Sequence, residues 1–171
     1  MPADRQRSRP VPSSTYRIQF SKDQTFEQVQ DLLPYLDALG ADALYASPLL
    51  ESGTGSNHGY DVVDPTRISA ERGGADGLKA MVARVREHGM RFVLDIVPNH
   101  VGVADNKVNP WWWDVLRHGR SSAYASYFDV DWAPVKHELA HKVLVPVLGD
   151  QFGEVLERGE LQLVREGGAF F

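Results

Sequence analysis

Segments with the character of β-strands and of amphipathic helices alternate over the first hundred residues of this chain. Residues 15–20 and 43–46 have strand character, and residues 92–97 form an apolar run typical of a strand buried on both faces. Helical spacing of apolar residues predicts helices over 26–39 and 77–88. This alternation predicts right-handed βαβ crossovers and an α/β fold with a parallel sheet. The order alone leaves open whether the sheet is doubly wound or part of a closed barrel.

Local signals predict where the two helices begin and end. Thr25 and Gln28 fit a capping box, and Gly40 is placed to end the first helix in the left-handed conformation. Pro34 predicts a kink or a later start, because proline removes a backbone donor and clashes with the preceding turn. Asp76 is the expected N-cap of the second helix.

The pattern changes after Pro98, where regular alternation stops. We expect a short helix over 111–118 and a strand-like segment at 142–146, which Pro146 would confine to a sheet edge. Residues 160–164 and 169–171 flank a Glu-Gly-Gly turn and predict a hairpin.

Composition excludes several classes of function. The chain has 171 residues, with 18 Lys and Arg against 23 Asp and Glu, and this acidic balance argues against nucleic-acid or membrane partners. The absence of cysteine excludes disulfides, thiolate nucleophiles and cysteine-bound metals. No apolar run approaches the roughly 18 residues of a membrane span, and the N-terminus lacks the apolar stretch of a secretory signal. The expected compartment is therefore the cytoplasm.

A long polar loop over residues 51–76 is the first candidate site. Its His58, Tyr60 and Asp61 combine an imidazole, a flat aromatic face and a carboxylate with flexible glycines. These groups suit a sugar ring, which offers C–H faces for stacking and hydroxyls for hydrogen bonds. The pattern also fits a surface loop in which Asp and Asn side chains satisfy turns.

The second candidate site follows the last predicted strand. Asp95 lies near the carboxyl end of that strand, and Asn99 and His100 come directly after it. In α/β sheets and barrels the carboxyl ends of the strands carry the active site. The alternative is an aspartate paired with a structural arginine and a histidine satisfied in the core.

Other polar and aromatic groups are weaker candidates. Trp111–Trp113 cannot all face one core, so at least one indole should reach a crevice, although burial against a neighbouring element is the alternative. Asp129 and Asp131 would point to opposite faces of an extended segment. His137 and His141 lack the surrounding HExxH pattern, so we expect no metal site.

Several segments together resemble the alpha-amylase superfamily of glycoside hydrolases and transglycosidases. TYRIQF resembles its first barrel strand, LLPYLDALGADALYASPLL its first helix and second strand, HGYDVVDP a sugar-stacking loop, and DIVPNH the motif on its third strand. A narrower resemblance, to the N-terminal part of the maltooligosyl trehalose synthase family, is carried by SNHGYDVVDPTRISAERGG, NPWWWDVLRHGRSSAYASYFDVDW and VLVPVLGDQFGEVLERGELQL.

This resemblance implies a partial (β/α)8 TIM barrel and a domain plan. Residues 15–100 would be the first three strands of the catalytic barrel, and residues 101–171 the truncated start of an insertion domain after strand three. Residues 1–14 precede the resemblance, and their richness in Arg, Pro and Ser predicts a flexible lead-in. The parent enzyme would convert the reducing-end α-1,4 linkage of a maltooligosaccharide into an α,α-1,1 linkage with retention. Alternatives are another hydrolase or transglycosidase of the superfamily, or a non-catalytic glucan-binding fragment.

The resemblance also implies roles for residues of both candidate sites. Tyr60 would stack on the sugar before the scissile bond, while His58 and His100 would hydrogen-bond its hydroxyls. The supporting residues would be Asp95, which orients a barrel arginine, together with Asn99 and Asp61. No metal or cofactor is implied. The family's nucleophile and acid lie on later strands, so no catalytic residue is assigned here and the chain alone is expected to be inactive.

Overall fold

The computed structural model describes residues 11–105 and 107–170. The chain divides into two compact units after Arg117. The flexible lead-in predicted for residues 1–14 lies largely outside the described residues.

The first unit alternates strands and helices in the predicted manner. Its elements are β1 (Thr15–Ile18), α1 (Phe26–Leu39), β2 (Ala43–Ala46), β3 (Leu50–Ser52), β4 (Val62–Ile68), α2 (Gly74–Glu87), β5 (Arg91–Leu94) and α3 (Pro110–His118), the last of which runs one residue past the division.

Strands β1, β2 and β5 form a parallel sheet in that order. Helices α1 and α2 contact each other and pack on the same face of the sheet, against the side chains of Ile18, Leu44 and Phe92. A doubly wound sheet instead reverses its strand order and carries helices on both faces. The observed strand order, with both helices on one face, therefore fits successive βα units of a barrel. The sequence pattern alone did not distinguish a barrel from a doubly wound sheet.

Helix α1 confirms its predicted ends. Thr25 accepts a hydrogen bond from the Gln28 backbone, the Gln28 side chain accepts one from the Thr25 backbone, and Gly40 has a φ of 84°. The later start suggested by Pro34 is wrong, because the helix runs from Phe26 with Pro34 inside it. Burial of one whole face of α1 outweighs the single backbone hydrogen bond that Pro34 removes; the buried side chains are Phe26, Val29, Leu33 and Leu36.

Two predictions between β2 and β5 are wrong. The stretch over 51–76 is not simply a loop, because β3 and β4 pair as an antiparallel hairpin. Polar residues and Pro65 concealed strand β4, of which only Val62 and Val63 are buried. Helix α2 begins at Gly74 rather than residue 77, and its N-cap is Gly73 in the left-handed conformation, with Asp76 in the first turn. Only glycine adopts that φ of 116° readily.

The expectation that residues 92–97 form a strand buried on both faces is also wrong. Strand β5 ends at Leu94, whose exposed fraction is 49%, and Ile96 is 65% exposed. The physical reason is that β5 is an edge strand of the described sheet and pairs with β2 alone. Among the described residues, β5 therefore has a neighbouring strand along one edge only. Within that part of the chain, no strand along its other edge flanks the side chains of its apolar run.

The second unit contains short elements. These are three 3₁₀ helices at Gly119–Ser121, Ala125–Tyr127 and His137–Leu139, helix α4 (Phe152–Glu157) and strands β6 (Arg165–Glu166) and β7 (Ala169–Phe170).

The hairpin predicted near the end of the chain is present with shorter arms. Gly167 and Gly168 both have positive φ, at 55° and 83°, as a two-residue hairpin turn requires. Residues 160–164 and 142–146 are not strands, since neither finds a partner strand in the described part of the unit. Phe171, in the second predicted arm, lies outside the described residues. No helix in the described ranges is long and apolar enough to cross a membrane.

Candidate functional site

Three polar side chains share one face of the parallel sheet at its carboxyl edge. Arg17 on β1 lies opposite Tyr45 on β2, and Tyr45 lies opposite Val93 on β5. Asp95 follows two residues after Val93, and its backbone N–H still bonds to Ala46. Because side chains alternate along a strand, this face is opposite the one covered by α1 and α2.

Tyr60 reaches this face from the loop between β3 and β4. Its hydroxyl donates to Oδ2 of Asp95 at 2.6 Å and accepts from Nη2 of Arg17 at 2.9 Å. The Tyr45 hydroxyl is 3.4 Å from the same Asp95 oxygen. The bond to Asp95 raises the pKa of Tyr60, loss of surrounding water adds to the rise, and Arg17 acts in the opposite sense. Tyr60 therefore remains a protonated donor at neutral pH.

His100 joins the same cluster from the segment after β5. Its Nε2 is 3.0 Å from the Tyr60 carbonyl oxygen, and its Nδ1 is 3.0 Å from Oδ1 of Asn99. Both oxygens can only accept, so the tautomer of His100 decides which of its two ring nitrogens donates. The contact fixes the plane of the imidazole beside the tyrosine.

His58 and Asp61 complete the loop around Tyr60. Nδ1 of His58 accepts from the Tyr60 backbone N–H at 3.0 Å, and the two rings stack with centroids 6.0 Å apart. The Ser56 hydroxyl donates to Asp61 and accepts from the Gly59 backbone at 3.1 Å. These bonds close residues 56–61 into a compact turn that presents the Tyr60 and His58 rings.

A buried arginine lies beneath this turn. Arg72 is 1% exposed, and burial lowers its pKa although nearby carboxylates oppose that shift. At Gly59, whose φ is +81°, an added Cβ would lie 2.8 Å from the Pro48 carbonyl and 2.9 Å from Nη2 of Arg72. The guanidinium donates to the carbonyl oxygens of Phe20 and Leu50 and to the hydroxyl of Ser52.

The six residues predicted from the sequence lie in one hydrogen-bonded neighbourhood: His58, Tyr60, Asp61, Asp95, Asn99 and His100. Their roles towards a ligand stay predictions. Tyr60 is 37% exposed, so its ring is accessible. An exposed phenol ring, two imidazoles and a fixed carboxylate can together stack on and hydrogen-bond a polyhydroxylated ring.

Sequence reasoning missed several residues of this neighbourhood. Arg17 and Gln19 alternate with buried Ile18 and Phe20, and that alternation of polar and apolar residues in a strand was an available signal. Tyr45 and Arg72 gave no local signal, because their partners are distant in sequence. Ser56 was missed although its partners Gly59 and Asp61 lie in the same turn.

Among the tryptophans, Trp112 is buried and its two neighbours are half-buried. The described residues hold no group of three or more Asp, Glu or His side chains placed to bind a metal ion.

Comparison with known proteins finds similarity over most of the chain. The family model for the alpha amylase catalytic domain matches residues 14–155. A putative maltooligosyl trehalose synthase of Mycobacterium tuberculosis is 46% identical over 164 residues, which cover 88% of this chain and 21% of that protein. An intracellular maltogenic amylase of Bacillus subtilis is 35% identical over 107 residues, or 63% of this chain and 17% of that protein.

Comparison with solved structures also finds similarity over most of the chain. The maltooligosyltrehalose synthase from Arthrobacter ramosus is 50% identical, with a TM-score of 0.80 over 94% of this chain and 20% of its own. This chain thus spans about a fifth of the length of the relatives it matches.

Proposed function

Because this chain belongs to the alpha-amylase family, we propose that it forms the N-terminal part of an enzyme that isomerises maltooligosaccharides. The enzyme converts the reducing-end α-1,4 linkage into an α,α-1,1 linkage. The similarity to maltooligosyl trehalose synthases supports this reaction. The observation that carries the proposal is the joining of Tyr60, Asp95 and His100 at the carboxyl edge of a barrel-like sheet.

In this proposal the cluster binds the sugar ring on the non-reducing side of the scissile bond. The Tyr60 ring stacks on that sugar, while His58 and His100 hydrogen-bond its hydroxyls. His100 does so by exchanging its contact with Asn99 for one with the sugar. Contacts that strengthen as the ring flattens towards an oxocarbenium ion lower the barrier rather than only the KM. Asp95, Asn99 and Asp61 hold these side chains in place.

The chemistry itself requires two carboxyl groups supplied from outside this chain. An aspartate forms a bond to the anomeric carbon as the α-1,4 bond breaks, and a glutamic acid gives its proton to the departing oxygen. The released glucose turns, and its anomeric hydroxyl attacks the glycosyl-enzyme while the glutamate takes back the proton. No water is consumed, so a closed site that excludes water favours isomerisation over hydrolysis.

The test is to incubate the intact protein with maltopentaose and to measure reducing ends and free glucose together. The proposal predicts that reducing ends disappear while little glucose is released, and that proton NMR detects the α,α-1,1 linkage. The 171-residue chain alone should give no turnover and serves as the control.

Rapid release of glucose or maltose would instead favour a hydrolytic relative, which the similarity to the maltogenic amylase of Bacillus subtilis makes the second candidate. Binding of maltooligosaccharide without turnover by the intact protein would favour a glucan-binding function.

A further inference from the structure

Arg17 is held rigidly at the carboxyl edge of the sheet by neighbours on its own face. Its Nη1 donates to Oε1 of Gln19 at 2.7 Å, and its guanidinium carbon is 5.5 Å from the centroid of the Tyr45 ring. The register places Arg17 directly opposite Tyr45 in the adjacent strand. The plane of the guanidinium is therefore fixed by the strand that carries it and by the next strand.

The remaining terminal nitrogen of Arg17 points to Tyr60. Nη2 donates to the Tyr60 hydroxyl at 2.9 Å and lies 3.7 Å from Oδ2 of Asp95, to which that hydroxyl donates. The Tyr60 hydroxyl therefore accepts from Arg17 and donates to Asp95, because a guanidinium can only donate and a carboxylate can only accept. The phenolic hydroxyl lies between two groups of opposite charge and has one orientation.

This arrangement does little for folding. Nη2 of Arg17 and Oδ2 of Asp95 are 3.7 Å apart, with side chains 37% and 16% exposed, and an ion pair with one such water-accessible partner contributes little stability. Its effect is on geometry: without the clamp the Tyr60 hydroxyl is tied to the sheet through Asp95 alone. Stacking on His58 and the backbone bonds to His58 and His100 hold the rest of the residue, but they do not fix where the hydroxyl lies along the sheet edge.

We propose that Arg17 is a positioning residue that clamps the Tyr60 hydroxyl against Asp95 and so holds the Tyr60 ring in the orientation that meets the sugar. This inference rests on the proposed function for its consequence in catalysis, but the clamp itself can be measured without substrate. Arg17 does not touch the reacting atoms in this proposal and acts through Tyr60.

The electrostatics of the clamp provide a direct readout. Asp95 raises the pKa of Tyr60 and Arg17 opposes that rise. In the intact protein with labelled tyrosine, the Tyr60 NMR signal is assigned with Tyr60→Phe and titrated through its ionisation. Arg17→Met should raise the Tyr60 pKa further, whereas Asp95→Asn should lower it. The control Arg67→Met removes an exposed arginine from β4 and should leave the Tyr60 pKa unchanged.

Activity on maltopentaose gives the second readout. Arg17→Met should lower kcat/KM about tenfold to a hundredfold, since displacing a positioned group by an ångström has effects of that size. Arg17→Lys keeps the positive charge but not the two nitrogens that donate separately to Gln19 and Tyr60. It should therefore recover part of the lost kcat/KM. Thermal unfolding of each variant checks that it is folded, and Arg17→Lys replaces Arg17→Met if the latter does not fold.

The outcomes separate the two proposals. A Tyr60 pKa that does not respond to Arg17→Met, or a variant with wild-type kcat/KM in an active enzyme, overturns the positioning role. A responsive Tyr60 pKa in a protein that does not isomerise maltopentaose supports the clamp and rejects the proposed function.

Discussion

The Tyr60 hydroxyl donates a 2.6 Å hydrogen bond to Asp95, which is 35 positions later in the chain. The bond joins the turn between β3 and β4 to the residue that follows β5. His100 repeats this connection, with its Nε2 at 3.0 Å from the Tyr60 carbonyl oxygen. Two segments that are far apart in sequence therefore form one site, and its geometry depends on the groups that support the turn.

Substitution of Gly59 tests the contact between the turn and the buried arginine. Gly59→Ala should lower the free energy of unfolding by about 1–2 kcal/mol more than Gly55→Ala. Both glycines have positive φ, but a Cβ at Gly55 meets nothing within 4 Å, whereas one at Gly59 meets Pro48 and Arg72 at under 3 Å. Denaturant unfolding measures the difference, and equal effects of the two substitutions would show that the close approach is not tight.

Arg72 should matter more for stability than an exposed arginine close by in sequence. Arg72→Met removes donors to the buried Phe20 carbonyl, the partly buried Leu50 carbonyl and the Ser52 hydroxyl, so we expect a loss of about 2 kcal/mol. Arg67→Met, at an exposed position of β4, should stay within about 0.5 kcal/mol of wild type. Chemical denaturation measures both, and similar losses in the two variants would contradict a bracing role for Arg72.

The decline of the unfolding free energy at acid pH should depend on Asp64. Burial raises the pKa of Asp64, but hydrogen bonds from Thr66 and the nearby Arg67 charge outweigh it and hold the pKa below its ordinary value of 3.8. The carboxylate therefore stabilises the folded state above that value, and this contribution is lost as pH falls through the lowered pKa. Asp64→Asn should flatten the decline in unfolding free energy between neutral pH and about pH 2. An unchanged decline would exclude Asp64 as its source.

His100 should contribute mainly to the transition state. His100→Ala in the intact protein should lower kcat/KM for maltopentaose by about tenfold or more, through kcat rather than KM, because its contacts strengthen as charge develops on the sugar. His137→Ala, at an exposed position of the second unit, is the matched control. Steady-state kinetics distinguish the two, and an unchanged kcat/KM in His100→Ala would remove His100 from the site.

The sequence predicted the helices and the parallel strands because their signals are local. The capping residues Thr25 and Gln28 and the stop at Gly40 act within one helix, and each was confirmed. Strand β4 and the start of α2 were mispredicted, because burial of Val62 and the left-handed Gly73 depend on partners elsewhere in the fold.

The candidate site shows the same division between local and distant information. Tyr60, Asp95 and His100 were identified from their residue types and their positions in the long loop and after the last predicted strand, and the resemblance implied their roles. Their proximity follows from the strands' common edge. Arg17 and Arg72 were missed, since the bonds of Arg17 to Tyr60 and of Arg72 to Phe20 span 43 and 52 positions. Such pairings depend on the register of the neighbouring strands and on the packing of the turn at residues 56–61. Neither can be predicted from the sequence of one segment.

The most direct test of the proposed glucan-binding site is the kinetic effect of removing the Tyr60 ring. In the intact protein, Tyr60→Ala should lower kcat/KM for isomerisation of maltopentaose about a hundredfold, because the stacking surface and the clamp to Asp95 are both lost. Tyr35→Ala removes a 60% exposed ring from the outer side of α1 and should leave kcat/KM near the wild-type value. Wild-type kcat/KM in a folded Tyr60→Ala variant would contradict the site.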